Sequence, residues 1–261
     1  MKRLWAAALA LLLLGGCGAG RETVSLEGST AMTGVVLALE EVFRAREPGI
    51  RVNFSGTGSG AGIQSALSGG CDIGLSSREL TSRELALGAK ARVIALDGIA
   101  VAVHPSNPVR ALTLEALTAI FTGELRTWAG AGGAEAPVAV YGREAGSGTR
   151  AAFEAAIGAP GGCRYTNEYN STGDVVGNVA SNPNAIGYIS LSAAGAGVAV
   201  LDIEGVPCTM ETVRDGSYPI CRPFLFVTRS GAPLSRAAEA FYTFAIRAEE
   251  TIALAGAAPA E

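Results

Sequence analysis

Short apolar runs alternate with segments of helical hydrophobic period along most of the chain. The runs "TVSLEG", "IRVNFSG", "CDIGLSS", "PVAVYG" and "AIGYIS" have the length of strands. Between the first two, "AMTGVVLALEEVFRARE" places Val35, Val36, Leu39, Val42 and Phe43 at the spacing of one helix face. Alternation of this kind is typical of an α/β protein with mainly parallel sheets.

Two longer apolar segments divide this pattern. "ARVIALDGIAVAVHPSNP" predicts one or two adjoining strands that run into a proline-bounded loop, and "YPICRPFLFVT" predicts a second crossing. The chain should therefore build a first lobe from residues 21–103 and 224–261, and a second from residues 104–223. The two crossing strands then form a hinge beside an interlobe cleft. The last segment, "SRAAEAFYTFAIRAEETIALAG", predicts one long helix that packs back on the first lobe.

The first residues have the pattern of an exported lipoprotein. Lys2 and Arg3 precede the apolar run "LWAAALALLLL", and small residues lead directly into Cys17. A run of about a dozen residues is short of the roughly 20 that a membrane span needs. We expect residues 1–16 to be removed as a signal peptide and Cys17 to carry lipid, which anchors the protein outside the cytoplasm to a bacterial membrane. The alternative is an uncleaved N-terminal anchor, which would leave the rest of the chain on the same side.

Composition and charge limit the ligand classes. A hydrophobic content of 49 % in 261 residues is ample for a packed core. Without residues 1–16, 18 basic residues face 24 acidic ones, so the mature side chains carry a net charge of −6. Lys90 is the only lysine after Lys2, and the arginines are scattered, which argues against nucleic acid as a partner. An anionic ligand would have to be held by local dipoles rather than by the overall field.

Cysteine usage adds an expectation about disulfides. With Cys17 lipidated, Cys71, Cys163, Cys208 and Cys221 form an even set in an oxidising compartment, which predicts one or two structural disulfides. Four cysteines allow three pairings, of which Cys208 with Cys221 would close a short loop and leave Cys71 with Cys163. The chain has no CxxC pair and no histidine near these positions, so we expect no metal site.

Three loops rich in small residues each follow a predicted strand and open a helix. They are "EGSTAM" with Ser29 and Thr30, "SGTGSGAG" with Ser59, and "REAGSGTR" with Ser147, Gly148 and Thr149. At a helix N-terminus, unpaired N–H groups and the positive dipole end favour an anion, and hydroxyls add donors. A single loop of this kind is more typical of an ordinary cap or turn. Three of them predict an anion site, because such junctions open on the same edge of a sheet.

Charged residues beside the loops refine this site. Arg143 directly precedes the third loop and can present its planar fork to an oxyanion. Its neighbour Glu144 either orients that arginine or is solvated. In "CDIGLSSREL", Asp72 and Arg78 flank a strand end that should also face the cleft. Arg78 either binds the ligand or pairs with Asp72.

Catalysis and nucleotide binding fit these loops poorly. "GTGSGA" resembles a dinucleotide fingerprint, but no acidic residue ends a strand about 20 positions later, and the lysine of a Walker loop is missing. The GxSxG motif is absent at Ser59 and Ser147, and the only histidine, His104, lies before Pro105 in the presumed crossing. Since a nucleophile without a general base is unattractive, we expect neither an enzyme nor a cofactor.

The segments "LEGSTAM", "GTGSGAGIQSALSGGCDIGLSSREL", "REAGSGTR" and "NPNAIGYISL", in this order, resemble the phosphate-binding lipoproteins of bacterial phosphate (Pst) ABC transporters. The resemblance spans essentially the whole mature chain. It implies the two-lobed periplasmic-binding-protein fold (type II), which closes on one dehydrated phosphate and hands it to a membrane permease. We expect the protein to act as a monomer.

The same resemblance implies a set of ligand contacts. They come from Ser29, Thr30, Ala31, Ser59, Ser77, Arg143, Ser147, Gly148 and Thr149. At the position of Ser77, some relatives carry an aspartate whose carboxylate accepts the proton of hydrogen phosphate and so rejects sulfate. A serine can both accept and donate, so discrimination is less firmly predicted here. The alternatives are another oxyanion, namely sulfate, molybdate or tungstate, and, in a different class, a secreted phosphate-ester hydrolase.

Overall fold

The computed structural model describes residues 22–195 and 197–260, so the predicted signal peptide and Cys17 lie outside the described residues. The strands are β1 (Glu22–Gly28), β2 (Ile50–Ser55), β3 (Ile73–Ser76), β4 (Ala89–Val103), β5 (Ala111–Leu112), β6 (Ala139–Arg143), β7 (Asn167–Tyr169), β8 (Ala185–Ser190), β9 (Ala199–Val200), β10 (Asp202–Ile203), β11 (Cys221–Arg229) and β12 (Ala258–Pro259). The helices are α1 (Thr33–Arg46), α2 (Ser59–Ser68), α3 (Ser82–Ala86), α4 (Leu114–Thr122), α5 (Gly148–Ala156), α6 (Thr172–Ser181), α7 (Met210–Arg214), α8 (Arg236–Ala245) and α9 (Glu249–Leu254). Short 3₁₀ helices cover Thr30–Met32, Trp128–Ala131 and Leu191–Ala193.

One sheet runs through both lobes. Its strand order is β2-β1-β3-β11-β4-β8-β6-β7, with β9 and β12 also paired to β4. The strands β2, β1 and β3 are parallel to one another, and so are β8, β6 and β7. Between these halves, β11 and β4 run antiparallel to their neighbours. The predicted α/β class, with a mainly parallel sheet in each lobe and two crossing strands between them, is confirmed.

Two main hydrophobic cores mark the two lobes, and β4 contributes to both. Ile94 and Ala95 belong to the first core, whereas residues 99–103 belong to the second. On β11, Phe224 and Phe226 return to the first core. The change from the first core to the second therefore falls between Ala95 and Ile99 on β4. The limits of the lobes stay a prediction.

The end of the chain forms two helices rather than the predicted single one. α8 ends at Ala245, the backbone turns at Ala248, and α9 begins at Glu249. The break lets Ile252 reach the same core as Phe241. A continuous helical period in the sequence did not reveal this turn, because both helices place apolar residues toward one core.

The predicted disulfides are not formed, since Cys71, Cys163, Cys208 and Cys221 are all free. Cys71 belongs to a small cluster of the first lobe and Cys163 packs against the core of the second, so these two cannot pair. Burial raises the pKa of Cys208 to about 12 and that of Cys221 to about 11. At neutral pH both stay protonated, and a protonated thiol is a poor nucleophile for disulfide exchange.

Among residues 22–195 and 197–260, no helix combines the length and the apolar character needed to cross a membrane.

Candidate functional site

The predicted site loops lie at the carboxyl ends of parallel strands, as expected for this topology. Ser29 follows β1, Ser77 follows β3, and Arg143 ends β6. α2 begins at Ser59, while Ser147 is the N-cap of α5 and its hydroxyl accepts the N–H of Arg150. The first loop differs from the prediction in one detail, since a 3₁₀ turn over Thr30–Met32 precedes α1.

Three serines of the first lobe form one buried hydroxyl cluster. The Ser29 hydroxyl donates to Ser77 Oγ at 2.8 Å, and the hydroxyls of Ser59 and Ser77 lie 3.3 Å apart. The Ser77 N–H donates to Ser59 Oγ at 3.1 Å. Because Ser77 Oγ accepts from Ser29 and also pairs with Ser59, it keeps either one lone pair or its own proton for a ligand, but not both.

Hydrogen bonds fix the guanidinium of Arg143, which carries the main positive charge of the second-lobe loop. Its side chain is only 2 % exposed. Nε and Nη2 donate to the two carboxylate oxygens of Glu144, each at 3.0 Å, and also to the carbonyls of Tyr169 and Asn170. Nη1 donates to Thr172 Oγ1 at 3.1 Å and retains a second N–H. Glu144 thus orients the arginine, and the edge that could grip an oxyanion with two bonds is occupied by its carboxylate.

The backbone of Arg143 is fixed as well. Its N–H donates to the hydroxyl of Tyr188 at 3.0 Å, and its carbonyl accepts Nη1 of Arg150 at 2.9 Å. The Tyr188 hydroxyl donates to Tyr165, and the Tyr165 hydroxyl donates to Glu154. Burial raises the pKa of Tyr188, so its proton is retained at neutral pH. This chain holds the end of β6 rigidly beside the cleft.

The loops of the two lobes touch each other. The N–H of Gly60 donates to the carbonyl of Gly146 at 3.1 Å, and the N–H of Thr172 donates to Thr30 Oγ1 at 3.2 Å. An added Cβ at Gly148 would lie 2.2 Å from Ser59 Oγ. These contacts define a closed arrangement of the lobes.

Sequence analysis missed Thr172, which the structure places in the same site. Its side chain accepts from Arg143, its N–H reaches Thr30 across the cleft, and it is 3 % exposed. Thr172 opens α6, and the hydroxyl of Ser171 accepts from Asp174 as the N-cap. The local signal was present: the serine–threonine pair of "YNSTGDVV" also follows a short strand and opens a helix.

Asp72 and Arg78 do not pair with each other, contrary to one of the two predicted alternatives. Asp72 Oδ2 accepts from the N–H and the hydroxyl of Ser25. Arg78 forms a two-bond ion pair with Glu84, which is also part of the capping box of α3 with Thr81. The hydrogen bonds from Arg78 lower the pKa of Glu84 to about 2. Asp72 and Arg78 are therefore each bound to another residue of the first lobe, and both stabilise the fold.

The two lobes, their crossing strands and the polar loops that face each other across the cleft define a two-lobed periplasmic-binding-protein fold. The family model described as the PBP superfamily domain matches residues 16–249. The phosphate-binding protein PstS of Bacillus subtilis (strain 168) is 33 % identical over 204 residues, which cover 76 % of this chain and 67 % of the relative.

Solved structures agree with this placement. A putative phosphate ABC transporter substrate-binding protein with bound phosphate, from Clostridium perfringens, has a TM-score of 0.89 and 35 % identity over 92 % of this chain and 100 % of that one. An ABC-type phosphate transport receptor from Vibrio cholerae has a TM-score of 0.72 and 30 % identity over 91 % and 100 % of the two chains. The chain therefore belongs to the PBP superfamily and, within it, to the family of PstS phosphate-binding proteins.

Proposed function

We propose that this protein captures inorganic phosphate in the cleft between its lobes and delivers it to the permease of an ABC transporter. The observation that carries the proposal is the convergence of buried donors from both lobes on one place. Ser29, Ser59 and Ser77 supply hydroxyls from the first lobe. The start of α5, with Gly148 and Thr149, faces Ser59 and Ser77 from the second lobe, and Arg143 lies beside it. The relatives from Clostridium perfringens, a putative phosphate ABC transporter substrate-binding protein, and from Vibrio cholerae, an ABC-type phosphate transport receptor, support the same assignment.

Thr149 supports an anion in this cleft directly. Its side chain is 1 % exposed, and its hydroxyl has no hydrogen-bond partner among the described residues. A buried hydroxyl without a partner is costly, so such groups are usually satisfied by a ligand or an ordered water. Thr149 lies in the first turn of α5, where N–H groups and the helix dipole also favour an anion.

The remaining ligand contacts of the proposal come from the loops themselves. Thr30 and Ala31 lie in a 3₁₀ turn and Gly148 begins α5, where backbone N–H groups lack helical partners. The N–H of Ala31 donates to Ser29 Oγ at 3.3 Å, so it would exchange this bond for one to the ligand. A hydrogen bond to a charged group contributes about 1.5–3 kcal/mol. Roughly ten such donors would contribute at least ~15 kcal/mol, which exceeds the ~8 kcal/mol of micromolar binding and leaves a margin for the cost of association.

Calorimetric titration with phosphate, sulfate, molybdate and tungstate tests the assignment. We expect phosphate to bind at least tenfold more tightly than sulfate, because Ser77 Oγ, when it donates its own proton to Ser59, keeps a lone pair that can accept the proton of hydrogen phosphate. The titrations should be repeated between pH 5 and 8, since the protonation of phosphate changes across that range. A preference for sulfate, molybdate or tungstate would refute phosphate as the ligand.

We assign no reaction to the site. The relatives named above are binding and transport proteins. His104 contacts Ser106 at 2.7 Å and is neither in nor next to the loops of the cleft. Among the described residues, neither the Ser59 nor the Ser147 hydroxyl donates to a carboxylate or a histidine, so neither is activated for attack on a phosphate ester.

The proposal includes a monomer held at the outer face of a bacterial membrane by lipid on Cys17. Replacing Cys17 with alanine should move the protein from the membrane fraction to the soluble fraction, because one diacylated cysteine is the whole anchor. Cell fractionation followed by immunoblotting measures this. The matched control is Cys163→Ala, which removes a half-buried thiol of the second lobe and should leave fractionation unchanged. Membrane retention of Cys17→Ala would contradict lipidation.

A further inference from the structure

We propose that Arg222, on the crossing strand β11, is a further ligand-binding residue whose Nη1 group donates to the bound oxyanion from the floor of the cleft. The inference rests on the proposed function and adds a hinge residue to it. None of the loop motifs contains Arg222, which lies in the segment "ICRPFLF". The site would then hold its anion from three sides: the first lobe, the second lobe and the hinge.

Arg222 is half of a buried ion pair that joins the two crossing strands. Its side chain is 1 % exposed, and that of Asp97 on β4 is fully buried. Nε and Nη2 of Arg222 donate to Asp97 Oδ2 at 2.9 and 2.7 Å, while the Ser190 hydroxyl donates to Oδ1 at 2.8 Å. Asp97 therefore fixes the plane of the guanidinium and leaves Nη1 on the opposite edge.

The Nη1 group of Arg222 has no hydrogen-bond partner among the described residues. Within the same residues, Thr149 Oγ1 is the only other buried side-chain nitrogen or oxygen in that condition. Two N–H bonds of a cation that are buried without an acceptor are expensive, and native structures rarely retain them without a function. The Phe224 ring lies 5.4 Å from the guanidinium carbon and offers a face but no lone pair to these bonds.

The strand registers place Arg222 at the edge where the site lies. Leu225 of β11 is opposite Ser76, so Arg222 lies beyond the end of β3, on the side of Ser77. Its own cross-strand partner, Asp97, is bound by Ser190 at the carboxyl end of β8. β8 runs parallel to β6, which ends at Arg143. The hinge pair thus lies between the strand ends that carry the loops of the two lobes.

The guanidinium of Arg222 is buried although the residue borders an outer groove. Cys221, Arg222 and Pro223 line, with Ala152 of α5, an open groove of about 470 Å³. The Arg222 side chain is nevertheless only 1 % exposed, and the solvent does not reach Nη1. Burial lowers the pKa of Arg222, and the charge of Arg143 lowers it further, which places the two guanidiniums within electrostatic range.

Arg143 and Arg222 are arranged in the same way. Each uses Nε and Nη2 for a carboxylate, Glu144 in one case and Asp97 in the other. Each keeps N–H on Nη1, wholly free in Arg222 and half free in Arg143. Each of these fixed cations is balanced by its own carboxylate, so the empty site holds no uncompensated buried charge. When a dianion enters, both cations are in place to bind it.

The test is Arg222→Lys, which keeps a cation beside Asp97 but lacks the Nη1 donor. We expect phosphate to bind at least tenfold more weakly, with the melting temperature of the ligand-free protein little changed. The ³¹P resonance of bound phosphate should also move, because it depends on the groups that donate to the phosphate. The matched control is Arg92→Lys on the exposed part of β4, which should change neither quantity.

Each result decides the inference. Affinity within twofold of the unmodified protein, or weaker binding with an unmoved ³¹P resonance, would overturn it in favour of a purely structural arginine. If Arg222→Lys does not fold, the double variant D97L/R222M replaces the buried ion pair by apolar side chains, an exchange that proteins often tolerate. That variant should fold and bind phosphate at least tenfold more weakly, and normal affinity would overturn the inference. Failure of the unmodified protein to bind phosphate would instead refute the proposed function.

Discussion

Replacing Arg143 with alanine is expected to weaken phosphate binding by at least tenfold, and by roughly a hundredfold if the lost charge-assisted bond contributes ~3 kcal/mol. The reason is geometric as well as electrostatic. Glu144, Tyr169, Asn170 and Thr172 hold the guanidinium in one orientation, so its free Nη1–H is already aimed before the ligand arrives. A group that is ordered beforehand loses little entropy on binding.

Calorimetric titration of the Arg143→Ala variant measures this effect. Arg126→Ala is the matched control, because Arg126 is an exposed arginine of the same lobe. Arg143→Lys adds a second comparison, since it keeps the charge and loses the planar fork. A melting curve of each ligand-free variant separates loss of binding from loss of fold. Near-normal affinity of Arg143→Ala would mean that the second-lobe half of the site has been assigned wrongly.

Gly148→Ala is expected to block closure of the lobes and to reduce phosphate affinity by at least a hundredfold, or roughly 3 kcal/mol. The added Cβ would lie 2.2 Å from Ser59 Oγ, 2.8 Å from Ser59 Cβ and 2.9 Å from Ser77 Oγ. These atoms belong to the opposite lobe, so the collision is relieved only if the lobes separate. An open cleft leaves an anion with the donors of one lobe and exposes it to water, which weakens each contact.

Gly146→Ala is the matched control for this effect. It introduces the same methyl group two residues earlier in the same loop, where no atom lies within 4 Å of the new Cβ. Alanine also favours helix more than glycine does, so α5 should form in Gly148→Ala. Small-angle scattering with and without phosphate reports closure, and calorimetry reports affinity. Compaction of Gly148→Ala on adding phosphate, with affinity like that of Gly146→Ala, would exclude the steric role of this glycine.

The proposed role of Arg222 makes the hinge a part of the site rather than a passive connection. Asp97 on β4 and Arg222 on β11 bridge the crossing strands at the level where the chain changes from one core to the other. If Arg222 also binds the anion, ligand binding and the geometry of the hinge depend on the same guanidinium. The two lobes and the strands that connect them would then be stabilised in the closed arrangement by one ligand.

Much of the fold could be predicted because it depends on short windows of sequence. The strands near "TVSLEG" and "AIGYIS" and the helix that follows Ser29 are each specified by hydrophobic period and by local caps. The prediction was wrong where two consecutive helices share one hydrophobic period but their axes point in different directions. The final helix is the example, since only packing against the first core shows where the turn at Ala248 falls.

The candidate site divides in the same way. Arg143 and the small polar residues beside it could be recognised because their chemistry is contiguous in "REAGSGTR". Arg222 could not, because its relevance depends on Asp97, a partner far away in the chain. Thr172 lies in a local pattern of the same kind as the three loops, but its contact with Thr30 across the cleft depends on the tertiary structure. The cysteines were misjudged for a related reason: an even count and an oxidising compartment do not tell which thiols lie close together or how deeply they are buried.

The sequence by itself determined the α/β class, the two crossings, the three polar loops and the family resemblance, because each is encoded by residue types at short, regular spacings. Tertiary structure decided which side chains meet: that Glu144 occupies the fork of Arg143, that Arg78 pairs with Glu84, and that Nη1 of Arg222 is left free. The pairing that leaves Nη1 of Arg222 free depends on the register of β11 and β4. The other two pairs join residues close in sequence, but the packing of the folded chain decides which carboxylate each arginine meets.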